Sequence, residues 1–357
     1  MASVPPLRTA DQARKGRTVR AGRGISLRIE GRSLLVCLGL LVALAGVVTL
    51  SLTTGDYPIS VPDVVRTLLG QGSRADGFIV LGLRLPRVVT GLLVGLALGM
   101  AGAVFQLVTR NPLGSPDVIG FTSGAVTGAL VVLLVIGGSG SQTAFGALIG
   151  GGVTAVAVYL LSRRGGVQGY RLILVGIGVT AVLQAVNDYL LTRSRVEDAQ
   201  QAQVWITGSL NGRGWEQATP LGLGLAVLVP LALLSSRSLT MLDLGDDASR
   251  ALGVDVGRTR STVLVVATAM TALAAMAAGP IAFVALAAPQ VARRLTRAVG
   301  SGLVAAGLTG ALMVLVSDFV AQRLFAPTQL PVGVVTGAVG GLYLAWLLAT
   351  QWRRGRG

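Results

Sequence analysis

The chain has 357 residues, 52% of them hydrophobic and only 13% charged, with a mean hydropathy of +0.72; a soluble domain carries about 25% charged residues, so this is a membrane composition. Its net charge of +15 does not mark a nucleic-acid binder, because the arginines fall between apolar runs and form no basic stripe interleaved with aromatics. With no histidine and one cysteine, Cys37, the chain can build no His/Cys metal site, no His-based triad and no disulfide framework.

Residues 1–32 carry eight basic side chains against Asp11 and Glu30, the pattern of a disordered cytoplasmic tail. No convincing small-x-small cleavage site follows the first apolar run, so that run is expected to be a retained span. The one lysine, Lys15, lies outside any GxxxxGK[ST] loop, so uphill transport would need ATP hydrolysis on another subunit.

Ten apolar segments follow, at roughly 33–53, 83–108, 117–137, 141–162, 171–192, 217–236, 259–279, 281–297, 302–325 and 331–350. The eighth is short and contains Pro289. Continuous apolar runs lack the alternation of barrel strands. The fold class is therefore an all-α integral membrane protein of about ten transmembrane helices in a compact bundle. Its transmembrane domain covers 33–352, and 353–357 form a basic cytoplasmic C-terminus. With both termini inside, 22 basic residues fall on the cytoplasmic side and 8 outside, the expected bias for the cytoplasmic membrane. Glycines spaced by four (Gly91, Gly95, Gly99; Gly120, Gly124, Gly128; Gly146, Gly150; Gly333, Gly337) predict close helix crossings.

Between the sixth and seventh segments, LTMLDLGDDASRALGVD (239–255) gathers four of the 15 acidic residues. Gly245 breaks the chain, Asp246 is the expected N-cap, and Asp247 suits a helix N-terminus. Ala248, Ala251 and Leu252 make a small apolar face, and Gly253 offers a left-handed stop. This is either an ordinary capped loop or a knob that docks on a cytoplasmic partner. In RNPLGSPDVIG, Pro112 and Pro116 interrupt the helix and leave Arg110 and Asn111 polar, as a structural turn or part of an inner gate. Asp188 and Asp318 are acids in or near the membrane, functional candidates by default.

Four stretches resemble the FecCD-type permeases of type II ATP-binding-cassette (ABC) importers, which carry iron–siderophore complexes, haem or cobalamin. LGDDASRALGV (244–254) is similar to the LGxxxAxxLGv coupling signature. RLPRVVTGLLVGLALGMAGAVFQLVTRNPLGSPDVIGFTSGA (84–125), GPIAFVALAAPQVARR (279–294) and SDFVAQRLFAPTQLPVGVVTGAVGG (317–341) follow in family order. The resemblance covers roughly 80–357. Departures are Gln290 for the usual histidine, Gln329 for the usual glutamate, and Gln322 for an arginine, with Arg323 one place later. Gly341 and Leu342 replace the common xP pair.

The resemblance implies a type II importer permease, not an enzyme, with no cofactor of its own. Segment 239–258, with Leu244, Gly245, Asp246, Asp247, Ala248, Arg250, Ala251, Leu252 and Gly253, would couple to an ABC ATPase dimer that binds ATP and magnesium. Arg84, Arg87 and the offset Arg323 would meet an extracytoplasmic substrate-binding lipoprotein, the alternative for Arg84 and Arg87 being anchorage at the interface. A second permease chain completes the channel, a homologous heterodimer or else a homodimer. WITGSLNGRGWEQ (205–217) resembles the ferric-enterobactin branch, so ferric siderophore is the expected cargo and cobalamin or haem the alternative. From other classes, the rivals are an ion-gradient-driven secondary transporter, which needs coupling acids deep in the bundle, and a membrane scaffold without flux.

Overall fold

The computed structural model describes residues 16–21, 25–138, 140–162, 169–297, 300–324, 326 and 328–354. Residues 1–15 of the expected tail and 355–357 of the expected C-terminus lie outside the described residues. Two described stretches of the expected tail, 16–21 and 25–30, are extended. Strands β1 (Gly16–Ala21) and β2 (Ile25–Glu30) pair antiparallel, with Arg17 opposite Ile29. The alternation Ile-Ser-Leu-Arg-Ile-Glu in β2 has the period of two that a strand uses.

Every one of the ten apolar segments is helical. The first is α1 (Gly31–Thr53). Short α2 (Val61–Leu68) follows, started by Ser60, whose hydroxyl accepts from the Asp63 amide, and by Pro62 in its first turn. Next, α3 (Arg74–Gly77), a π-helical stretch Phe78–Arg84 and α4 (Leu85–Thr109) run on as one 36-residue helix. The chain then forms α5 (Phe121–Leu130), with π-helical Val131–Ile136 continuing it, α6 (Ser141–Ser162), α7 (Gly169–Arg193) and α8 (Val196–Thr207). After α9 (Trp215–Leu234), short α10 (Ser236–Leu242) and α11 (Asp246–Ala251) precede α12 (Val256–Ala278). The last three are α13 (Val284–Thr296), α14 (Leu303–Arg323) and α15 (Val332–Arg354).

Seven of the described helices are long and apolar enough to cross a membrane. At 13 residues α13 is not one of them. It is about 20 Å long against a hydrocarbon core of about 30 Å. Gly102 of α4 packs on it so closely that a Cβ there would lie 1.7 Å from the Ala285 carbonyl oxygen. This half-helix therefore begins inside the bundle, where the turn Gly279–Phe283 is irregular.

Such irregular backbone survives among helices only when its polar groups are satisfied by protein. Three helix ends meet here to do so. The Ser209 amide donates to the Ala278 carbonyl at 2.8 Å, and the Gly333 amide donates to the Gly208 carbonyl at 3.1 Å. Gly208 has φ +75°, and a Cβ on it would lie 2.2 Å from the Pro280 carbonyl oxygen.

Helix α4 is the axle, buried along most of its length and packed most extensively on α14. A Cβ at Gly95 would fall 2.4 Å from the Gly310 carbonyl oxygen, and one at Gly99 would fall 2.2 Å from that of Ala306. Two other glycine ladders face one another: Gly124 and Gly128 of α5 touch Gly150 and Gly146 of α6 backbone to backbone. In lipid, close van der Waals packing of this kind holds helices together, because apolar burial alone gives no net drive between them. Large apolar side chains such as Leu35 and Val42 of α1, Ile149 and Val153 of α6 and Leu223 of α9 are turned outward. An apolar surface of that extent fits a lipid environment.

Candidate functional site

At one pole of the bundle, α11 projects with most of its surface free. Leu244 and Leu252 are 66% and 56% exposed, and Ala248, Arg250, Ala251 and Gly253 are exposed as well. The expected N-cap is corrected: Gly245, at φ +109°, occupies that position, and Asp246 is the first helical residue. Gly253 does take the left-handed conformation, at φ +82°. A helix of six residues has too few internal hydrogen bonds to hold itself. Buried Ser249 therefore ties it to α10, its hydroxyl donating to the Met241 carbonyl at 2.7 Å.

The four aspartates of this segment divide by direction. Asp247 faces out and pairs with Arg250 at 3.1 Å, and Asp255 caps α12 by accepting from the Arg258 amide at 3.0 Å. Asp246 points inward to two arginines from distant parts of the chain. Arg260 of α12 donates to both its oxygens at 3.0 and 3.3 Å, and Arg110 donates to Oδ1. Arg110 also donates to the Leu242 carbonyl at 3.0 Å. Burial pushes the Asp246 carboxyl up, but the charges of Arg260 and Arg110 and their hydrogen bonds outweigh it and hold it below the usual carboxylate range. Asp243 lies within electrostatic reach of Arg293.

The RNPL turn is held from the same side. Arg110 ends α4 in the left-handed conformation, at φ +49°. Asn111 closes the turn, its side-chain oxygen accepting from the Leu113 amide at 2.9 Å. Gln290 of α13, where the family resemblance expects histidine, donates to the Pro112 carbonyl at 2.5 Å. Arg293 donates to the side-chain oxygen of Gln106, whose amide donates to the Leu286 carbonyl at 2.9 Å. The turn, α13 and the α11 segment thus share one polar layer.

At the opposite pole, two of the three arginines expected at the mouth are engaged within the chain. Arg84 donates to the Leu52 and Tyr57 carbonyls, both at 2.6 Å, and closes the loop after α1. Arg87 forms a two-point pair with Asp318 at 2.9 and 3.0 Å, with side chains 15% and 5% exposed. Gln322 donates to Asp318 at 2.8 Å, and Arg87 donates to Gln329 at 3.2 Å. Two positions that depart from the family pattern therefore flank a single ion pair. Arg323 stands 4.0 Å from fully exposed Asp56, and its buried Nε has no hydrogen-bond partner.

Beside the Gly208 junction opens a cavity of about 640 Å³. Ser115, Asp117, Thr122, Ser123, Gln184, Asn187, Asp188 and Gln203 give it polar walls, and Pro280, Phe283 and Gly333 complete them. Asp188 is exposed on that wall, whereas Asp318 is buried and paired. Sequence reasoning passed over the amides Gln184, Asn187 and Gln203. Their mark in the sequence was polarity within or next to an apolar run. Among the described residues no group of three or more His, Cys, Asp or Glu could hold a metal ion.

A multi-span helical bundle with an irregular mid-depth junction, a polar cavity beside it and a small anchored knob at one pole defines a membrane-embedded transport permease. The chain belongs to the FecCD transport family, whose pattern matches residues 40–350. It is 43% identical to the ferric enterobactin transport system permease protein FepG of Escherichia coli, over 91% of this chain and 99% of that one. The Fe(3+) dicitrate transport system permease protein FecD of the same organism is 35% identical, covering 86% and 96%. Among solved structures, a metal-chelate type ABC transporter in an inward-facing conformation superposes with a TM-score of 0.78, at 27% identity, over 89% of this chain and 99% of that one.

Proposed function

We propose that this chain is the permease subunit of an ATP-driven importer that carries a ferric siderophore through the cytoplasmic membrane. The observation that carries the reading is α11. Its apolar residues Leu244, Ala248, Ala251 and Leu252 are turned away from the bundle, while Asp246 and Ser249 fix it from beneath. A small apolar knob on a rigid base is a surface made for a groove on another protein. The partner is a separate ABC ATPase dimer, which binds ATP and magnesium, and this chain itself needs no cofactor. The α11 pole faces the cytoplasm and so do both termini, in keeping with the arginine distribution. The opposite pole, with Arg323 and Asp56, receives an extracytoplasmic binding protein, and a second, homologous permease chain closes the open side of the cavity.

Iron chelate as cargo rests on the relatives, whose names specify ferric enterobactin and ferric dicitrate. Of the two acids that could serve the ion-gradient rival, Asp318 is already paired with Arg87. The test is uptake of radioactive iron as ferric enterobactin and ferric citrate in cells with and without the gene. A partner ATPase unable to hydrolyse ATP serves as the energy control. Loss of uptake in both backgrounds is expected. Uptake that needs this gene but ignores the ATPase would overturn the reading.

A further inference from the structure

We propose that Asp246 is the pin that passes movement of α11 into the bundle, a positioning residue for transport; this rests on the importer reading above. Three observations carry it. First, α11 turns its apolar residues outward, so packing does not lock it to the axle helix. It sits on α10, which itself packs on α4, and on the start of α12; its direct side-chain link to the end of α4 is the Asp246–Arg110 pair.

Second, the pin is specific. One carboxylate is shared between an arginine at the end of α4 and an arginine at the base of α12. Charge-assisted hydrogen bonds from two directions fix position and orientation in a way one contact does not. The Arg260 side chain is only 12% exposed, so that side of the joint is sheltered from water and salt.

Third, α4 reaches both poles. From Arg110 it runs 23 residues back to Arg87, about 35 Å at the helical rise. There it is clamped to α14 by Asp318. Close glycine contacts along α4 bar it from sliding freely against α14. A push delivered to α11 by its partner therefore enters, through Asp246, a stiff rod whose far end is tied to the other pole. Asp247 and Asp255, engaged with their own helices, lie outside this path.

The experiment uses the complete transporter, with its ATPase and both permease chains, in liposomes. Gln184→Cys, on the cavity wall, reports access to a thiol reagent in a Cys37→Ser background, a readout that needs no cargo. Assembly of the Asp246→Asn complex is checked by co-purification of the ATPase, and labelling and uptake are both read per ATP hydrolysed. With Asp246→Asn, ATP should no longer change the Gln184→Cys labelling rate, and ferric enterobactin uptake per ATP should fall at least tenfold. Asp246→Glu should restore both.

A second variant, Arg110→Cys with Asp246→Cys in the Cys37→Ser background and no reporter, should be uncoupled as free thiols and regain uptake when the two are joined by a flexible bifunctional thiol cross-linker about as long as the arginine side chain it replaces. Labelling that still responds to ATP in Asp246→Asn, or bridging that fails to restore uptake, overturns the pin. A reporter complex with Asp246 intact that takes up no ferric chelate, yet shows ATP-driven labelling lost in Asp246→Asn, would instead sink the cargo reading and leave the pin standing.

Discussion

Arg87 and Asp318 hold α4 and α14 together through two hydrogen bonds of 2.9 and 3.0 Å, in a place where both side chains are nearly withdrawn from solvent. Breaking a buried pair by removing one partner strands a charge, at a cost of about 3–5 kcal/mol. Arg87→Ala or Asp318→Ala should therefore lower thermal stability in detergent sharply. Replacing both with Met and Leu should recover much of the loss, because no charge is then left alone.

The glutamines flanking that pair make a coupled prediction. Gln322→Arg alone adds a cation beside Arg87, and Gln329→Glu alone adds an anion to a site already balanced. The double variant restores neutrality and the family pattern. A double-mutant cycle on melting should show favourable coupling of about 0.5–3 kcal/mol. Strict additivity would mean that the two positions do not share the site.

At the same pole, Arg323 is the arginine of the three whose charge is not consumed by a short internal hydrogen bond. Arg323→Glu should slow association of the binding protein, and the difference from wild type should shrink with salt, with little change in melting. Arg87→Glu should instead lose folded protein.

The glycine crossings allow a controlled comparison. Gly99→Ala forces a Cβ to 2.2 Å from the Ala306 carbonyl oxygen, and overpacking of this kind costs about 1–3 kcal/mol. Gly337→Ala meets nothing within 4 Å and should be neutral or slightly stabilising. Equal melting shifts would mean that α4 and α14 are not in backbone contact.

Asp246 sets a pH dependence with a defined sign. Its folded value is held below the unfolded one by Arg260 and Arg110 against the pull of burial. The stability it adds is thus complete above the ordinary aspartate value of about 3.9 and lost as pH falls through the folded value. The melting difference between wild type and Asp246→Asn should stay flat from about pH 6 to 8 and close only in strong acid. A difference that closed near neutral pH would show that the carboxyl is not paired.

Helix existence was legible because membrane spans are written in composition: a run of about twenty apolar residues has few other options. The RNPL interruption and the Gly253 stop were legible for local reasons, since proline and glycine act on their own backbone. Helices α2 and α8 escaped notice because both are short and mixed in character. Yet the Ser60-x-x-Asp63 cap with Pro62 in the first turn marked α2, and Glu197 and Asp198 marked the first turn of α8. The pairing of 16–21 with 25–30 was not legible because charge outweighed the alternation of 25–30.

What the sequence determined by itself is the class: a membrane bundle, its number of apolar segments, and a small helix between the sixth and seventh of them. The tertiary structure decided what each charge does. Asp246 finds Arg110 at 136 positions' separation, and Arg87 finds Asp318 at 231. Local spacing governs helices and caps, but an ion pair depends on where helices cross. In this chain those crossings are set by glycines that let one backbone lie against another, a choice no single segment can make alone.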